Sequence, residues 1–242
     1  MHLASALGRS GVVALGALVG MAVAACGAHP APSTPPPAAI HAHEVRPDLD
    51  LADTTTWTPI NAETRAFVDG DKHAGELAPI GGNRKGSNVA MALLRGVTFE
   101  HGTIDVDLRG GGEAGASFLG IAFGVADPNK YEAIYFRPFR FRSQDAVERT
   151  HAVQYVAWPE HTWEALRTRS PGVYEAAITP IPDPEGWFHA HIVISNDAVE
   201  VFVDGAREPT LVVHRLRHDP GAIALWVDSK AGSFANLRVN PS

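Results

Sequence analysis

Gly102-Thr103-Ile104-Asp105-Val106-Asp107-Leu108-Arg109 decides the fold class. Successive side chains of an extended chain point to opposite faces, so Ile104, Val106 and Leu108 share one side and Thr103, Asp105, Asp107 and Arg109 the other. The same period of two recurs at 118–125, where Leu119, Ile121, Phe123 and Val125 alternate with mostly small residues. A turn at Asp127-Pro128-Asn129 leads into 131–137, and further strands read at 152–158, 187–195, 198–203, 211–213, 222–228 and 234–239. Alternation on this scale, broken by Gly, Pro, Asn and Asp, predicts an all-β antiparallel jelly-roll sandwich. No stretch after residue 47 keeps a helical period over three turns, and 143–149 suits one helical turn.

The start of the chain is of another kind. An apolar run from Gly11 to Ala25 ends in Val23-Ala24-Ala25-Cys26, and Cys26 is the only cysteine among 242 residues. The run has the length of a secretory h-region, about 7–15 residues, and is short for a membrane span. The residues before the cysteine are small, as a signal peptidase pocket needs. Arg9 is the only Lys or Arg before the run ends. The segment resembles the lipobox of a bacterial lipoprotein, which implies a signal peptide over 1–25 and lipidation of Cys26. The alternative is an ordinary secretory signal with an incidental cysteine. Residues 26–47 are rich in Ala and Pro, with Pro35-Pro36-Pro37 at the centre, and read as an extended tether to a domain over 48–242.

Leaving out Arg9 takes the basic count from 20 to 19 against 27 acidic residues, so the chain after residue 25 is acidic. Such a protein lacks the basic footprint of a nucleic-acid binder and the basic face of a peripheral membrane protein. With one cysteine there is no internal disulfide, and the core alone supplies stability. The expectation is a monomer, partnered by carbohydrate and by the membrane through the lipid. There is no Walker loop, dinucleotide fingerprint, nucleophile elbow or zincin motif. Gly110-Gly111-Gly112 leaves a strand and reads as a loop.

Two groups of segments carry a resemblance. Trp187-Phe188-His189-Ala190-His191-Ile192-Val193-Ile194, Ala198–Val203 with Asp204-Gly205, Gly221–Trp226 and Phe234-Ala235-Asn236-Leu237-Arg238-Val239 form the first. They are similar to the C-terminal half of concanavalin A-like and laminin-G-like jelly rolls. Phe99–Asp107, Phe118–Phe123, Tyr131-Glu132-Ala133-Ile134-Tyr135-Phe136-Arg137-Pro138 and Gln154-Tyr155 form the second. They resemble bacterial exported domains grouped with family 16 glycoside hydrolases and 3-keto-disaccharide hydrolases. The resemblance implies a jelly roll that acts on or binds carbohydrate. The chain departs from it in one respect: the Glu-x-Asp-x-x-Glu strand of the catalytic family 16 enzymes has no counterpart here.

In 131–137, Tyr131, Ala133, Tyr135 and Arg137 take one face while Ile134 and Phe136 point to the core. Phenol rings stack on the C–H faces of sugars and a guanidinium bridges hydroxyls or a carboxylate, so this face predicts a solvent-facing carbohydrate site. Tyr135, Arg137, Gln154, Trp158 and Trp163 are the candidate ligand-binding residues, and Glu132, Glu164 and Glu175 the candidate acid and base groups. A polar outer face packed under a loop is the competing account. Asp105 and Asp107 at i, i+2 suit a common Ca²⁺, or two solvated carboxylates. His189 and His191 suit zinc only with a third ligand, which the sequence does not identify. Asp204 serves a turn, Asn236 caps backbone groups at the rim, and Trp187 and Trp226 pack core or rim.

These readings lead to an exported, lipid-anchored, carbohydrate-active protein, a hydrolase on the concave sheet face or a lectin-like or structural sandwich without catalysis. Gly27 follows the cysteine in place of the Asp of inner-membrane retention, which points to the outer membrane in a Gram-negative host. Cys26→Ala is expected to abolish lipid labelling and to release the protein from the membrane fraction or leave it unprocessed. Unchanged labelling and fractionation would remove Cys26 as the anchor.

Overall fold

The computed structural model describes residues 43–81, 88–115 and 117–242. Cys26, the signal segment and the tether up to residue 42 lie outside the described residues. In chain order the first strands are β1 (Trp57–Ile60), β2 (Ala62–Asp69), β3 (Lys72–Pro79), β4 (Val89–Leu94), β5 (Gly102–Arg109), β6 (Ser117–Asp127) and β7 (Lys130–Phe136). Then come α1 (Pro138–Phe141), α2 (Ala146–Arg149), β8 (Val153–Trp158), α3 (Trp163–Arg169) and β9 (Glu175–Ala176). The chain closes with β10 (Phe188–Ile194), β11 (Ala198–Val203), β12 (Leu211–His214), β13 (Ala222–Ser229) and β14 (Gly232–Pro241).

Two antiparallel sheets form a sandwich with little helix, the jelly-roll, concanavalin A-like arrangement that the alternation predicts. The first runs β1-β4-β13-β6-β7-β8-β9 and the second β12-β11-β10-β5-β14-β3-β2. The decisive stretch is β5, central in the second sheet, with Ile104, Val106 and Leu108 fully buried. Leu119, Ile121 and Phe123 of β6 and Ile134 and Phe136 of β7 face them from the first sheet. The Phe136 and Phe141 rings meet Phe188 of β10 edge-on at 5.0 and 5.3 Å, which joins the two sheets. Each such side chain stabilises the fold by about 1.5–3 kcal/mol, more than an exposed ion pair, so the apolar faces specify the sandwich.

Elements outside the sequence reading are β1 to β4, β9 and two of the three helices. The predicted helical turn at 143–149 is present as α2, capped by Asp145, whose carboxylate accepts from the Val147 and Glu148 N–H groups. Residues at the read end of the tether already belong to the domain: Val45 exchanges both backbone hydrogen bonds with Val239 of β14, at 2.8 and 2.9 Å. Asp204 and Gly205 take positive φ of 49° and 69°, the turn conformation predicted for them. The Asp204 carboxylate also accepts from the His189 N–H at 2.8 Å.

One candidate catalytic residue turns out to be interior. Glu132 shares the inward face of β7 with Ile134 and Phe136, because it sits two and four residues before them. It is 1% exposed. Arg215 pairs with it at 3.0 Å, and the Tyr155 hydroxyl donates to it at 2.5 Å. Arg215 donates onward to the carbonyls of Glu100 and Ser195, and Tyr155 accepts from the Leu216 N–H. Burial pushes the Glu132 carboxyl up, against the pull of Arg215 and Tyr155. Removing one partner of a buried pair strands the other charge, so Arg215→Ala should destabilise the domain by about 3–5 kcal/mol. Denaturant unfolding measures this; a loss below ~1 kcal/mol would mean that the pair is not structural.

Candidate functional site

The outward face of the first sheet carries a cleft of about 480 Å³ beneath α1, α2 and α3. Its floor follows from a glycine. Gly120 of β6 pairs with Trp226 of β13 on one side and Tyr135 of β7 on the other. A Cβ at Gly120 would lie 2.0 Å from the Ile134 carbonyl oxygen, so no other residue fits there. Over this gap the Tyr135 and Trp226 rings meet at 4.9 Å. Phe118 continues the aromatic surface, 6.3 Å from Tyr135 and 5.4 Å from Phe139 of α1. Trp158 and Trp163 also line the cleft, and Trp163 is 39% exposed.

Arg137 lies in the floor. It follows β7, where Pro138 starts α1, and its backbone N–H is held by the Ala152 carbonyl. The sequence places its guanidinium in solvent; in the structure it is 5% exposed, because α1 and α2 fold back over the sheet. Its Nη1 donates to the His151 carbonyl at 2.7 Å, and its Nη2 to the Tyr135 hydroxyl at 2.7 Å and to Gln154 Oε1 at 3.4 Å. Gln154 is in turn fixed by the carbonyls of Tyr155 and Tyr174, both at 3.0 Å. Burial pushes the Tyr135 phenol up to about 12, so it keeps its proton at neutral pH.

The wall is built by α3. Thr162 caps it through the Ala165 N–H, and its sequence places Glu164 in the first turn and Arg167 in the last, each favoured by the helix dipole. Arg167 stacks on Trp163 four residues earlier, at 4.8 Å. It also forks onto Glu175, with contacts of 2.9 and 2.5 Å, and His151 Nδ1 lies 2.9 Å from the same carboxylate. Glu175 is therefore buried behind Arg167 and does not line the cleft. Arg140 and Glu148 pair across α1 and α2. Burial lowers the Arg140 value, reinforced by Arg137 and Arg167. Burial also lowers His151, with Arg167 and Arg137 opposing the pull of Glu175.

Of the eight predicted site residues, Tyr135, Arg137, Trp158, Trp163 and Glu164 line the cleft and Gln154 braces it from the side. Glu132 and Glu175 stand outside it. Glu164 has no hydrogen-bond or ion-pair partner among the described residues. Sequence reasoning missed Phe118, Phe139, Arg140, Glu148, Arg167 and Asp228, and read Trp226 as packing alone. The i, i+4 spacing of Trp163 and Arg167 was the available signal for the helical wall. A second cavity of about 390 Å³ shares Val89 and Trp158 with the cleft and adds Asn61, Asn129 and Tyr131.

The Asp105, Asp107, His189 and His191 group lies on the outward face of the other sheet, brought together by the β5–β10 register. His189 contacts Asp107 at 2.8 Å and Asp105 at 3.3 Å, and His191 contacts Asp105 at 2.9 Å. Lys72 and Asn236 also donate to Asp107, at 2.6 and 2.7 Å. Asn236, at φ 52° beside a register shift in β14, serves this carboxylate and not the backbone rim. Among the described residues no group of three or more His, Cys, Asp or Glu is placed to hold a metal ion. Trp187 packs at the edge of this face, bonded to Asp69 and stacked under Arg109.

No protein family's sequence profile matches the chain, and no curated protein matches it. Solved structures do. A carbohydrate-binding module from Bacillus subtilis is 13% identical with a TM-score of 0.53, over 76% of this chain and 96% of its own. A β-glucanase from Bacillus licheniformis is 11% identical with a TM-score of 0.54, over 82% and 98%. A native glycosidic hydrolase is 13% identical with a TM-score of 0.54, over 83% and 97%. At these identities the likeness establishes a shared jelly-roll sandwich and nothing about residues.

The His189 network has a measurable pH signature. The Asp107 bond raises the His189 value above the ordinary one, against burial. A raised histidine contributes stability fully below its unfolded value, about 6.5, and loses it as pH rises through the folded value. Asp107 is held well below the usual range by His189, Lys72 and Asn236, against burial, and loses its contribution only in strong acid. The melting temperature of the wild type should therefore fall, relative to His189→Gln, as pH rises above about 6.5. The difference between the two proteins is the readout, since His151 titrates with the opposite sign in both. Parallel curves would show that His189 is not coupled to folding.

Proposed function

We propose that the domain binds carbohydrate in the cleft over β6, β7 and β13, as a glycan-binding module carried outside the cytoplasm on the Cys26 lipid. The observation that carries the reading is the combination of aromatic rings and fixed polar groups in one open cleft. Trp158 and Trp163 offer faces to C–H surfaces above the buried Tyr135 and Trp226 rings, while Arg137, Glu164 and Asp228 offer hydrogen bonds to hydroxyls. The adjoining cavity beyond Trp158 suits a chain of more than one sugar unit. The names borne by the structurally similar proteins, a carbohydrate-binding module and two glycoside hydrolases, agree with this class of ligand. Support for export and lipidation comes from residues 11–26 alone.

Binding is favoured over hydrolysis by the fate of the three candidate glutamates. Two-carboxylate glycoside hydrolysis needs a pair flanking the bond to be cut. Glu132 is spent on Arg215 and Glu175 on Arg167, which leaves Glu164. A hydrolase remains the second reading because Asp228 also lines the cleft. Trp163 is largely outside the core, so Trp163→Ala should keep the fold and weaken glycan binding about 10-fold on an array and by calorimetry. Equal affinity in both proteins, or no glycan bound by the wild type, would overturn the reading. Reducing-sugar release that disappears in Glu164→Gln would favour the hydrolase.

A further inference from the structure

Two cations are buried among the described residues, Arg215 and Arg137, and only Arg215 has a carboxylate partner. Arg215 pairs with Glu132 inside the sandwich. On the cleft wall, Arg167 pairs with Glu175 and Arg140 with Glu148. Arg137 is as buried as Arg215, yet it forms no ion pair with a carboxylate among the described residues. Its acceptors are a carbonyl, a phenol and a side-chain amide, all neutral. Phe118 and Tyr135 lie against the guanidinium at 5.8 and 4.8 Å. Its Nε–H and one hydrogen of Nη1 have no partner among the described residues, and the side chain lines the cavity. A buried cation without a counter-ion is costly unless an anion arrives to complete it.

The other carboxylates of the cleft do not fill this role. Glu148 is taken by Arg140. Asp228 accepts from the Asn88 N–H at 2.8 Å and from the Ser229 hydroxyl at 3.1 Å. Glu164 stands exposed on the first turn of α3.

We infer that the cleft selects an acidic saccharide, whose sugar carboxylate is the missing counter-ion of Arg137. The inference rests on the glycan-binding reading and names the class of glycan. A uronic acid unit stacks its ring on the exposed Trp163, directs its carboxylate to the free guanidinium hydrogens of Arg137, and donates hydroxyl hydrogens toward Glu164. A charge-assisted bond to a desolvated guanidinium is about twice as strong as a neutral one, so the carboxylate outweighs any single hydroxyl contact.

The test is calorimetric titration of the full chain with oligogalacturonate, oligomannuronate and oligoglucuronate, and with the same oligosaccharides after reduction of each carboxyl to the alcohol. At least one uronate should bind at least ~10-fold more tightly than its reduced form, with the margin shrinking as salt rises. Arg137→Gln should erase the margin, and Arg137→Lys, which keeps the charge but loses the planar fork, should shrink it. The unmutated protein compared on the paired ligands decides the matter even if a variant does not fold. Equal binding of acidic and reduced forms would overturn the inference and leave the glycan reading standing. Binding of sulfated oligosaccharides with no uronate bound would overturn the choice of a carboxylate. Failure to bind any saccharide, acidic or neutral, would overturn both.

Discussion

Strand β7 carries a buried carboxylate on its inward face, and the residue after it carries a buried guanidinium on the outward side. The molecule is arranged around that opposition. Inside, Glu132 draws Arg215 into the sandwich, and through it the carbonyls of Glu100 and Ser195 and the phenol of Tyr155. This ties both sheets and the segment after β12 to one point. Outside, Arg137 draws in the His151 carbonyl and the Tyr135 and Gln154 side chains, and so holds the crossing from α2 to β8 against the sheet. A shift of β7 by one residue would exchange the two charges and lose both anchors, so the register of this strand is strongly specified.

The cleft is possible because the outward face of β6 has a gap at Gly120. With Gly120 between Tyr135 and Trp226, two large rings from neighbouring strands close over the middle one. The surface is thus broad, aromatic and rigid, since it is built on strands packed on the core. The wall opposite is built on short helices fixed by side-chain caps and by the Arg167–Glu175 fork. A rigid floor with a fixed wall suits recognition, where the ordering cost of a mobile loop would weaken binding.

The two polar clusters of the domain differ in how far their charges are paired. On the second sheet, Asp105, Asp107, His189, His191, Lys72 and Asn236 bond to one another around the buried Asp107, with the histidines more than a third exposed. Such a network keeps a sheet face polar and registers two strands. On the first sheet, among the described residues, Arg137 is buried without a counter-ion and Glu164 is exposed without a hydrogen-bond or ion-pair partner. Unfinished electrostatics in a concavity, and not the number of polar residues, distinguishes the cleft.

The amino-acid sequence by itself determined the sandwich, because a period of two is a local property: whichever partners β5, β6 and β7 find, Ile104, Leu119 and Ile134 must face the interior. It also determined that Tyr135 and Arg137 share the outward side, and that Asp204-Gly205 turns the chain. It did not separate Glu132 from Glu164 and Glu175, although parity with Ile134 and Phe136 placed Glu132 inward, since a buried carboxylate is acceptable only when a distant cation meets it. That cation, Arg215, stands 83 residues further on. The cover over Arg137, the helix that carries Glu164 and Arg167, and the meeting of Trp226 with Tyr135 were decided by tertiary structure alone. Each depends on strands joined across the sheet and on loops folded back over it, and neither the order of pairing nor the path of a loop is written in local alternation.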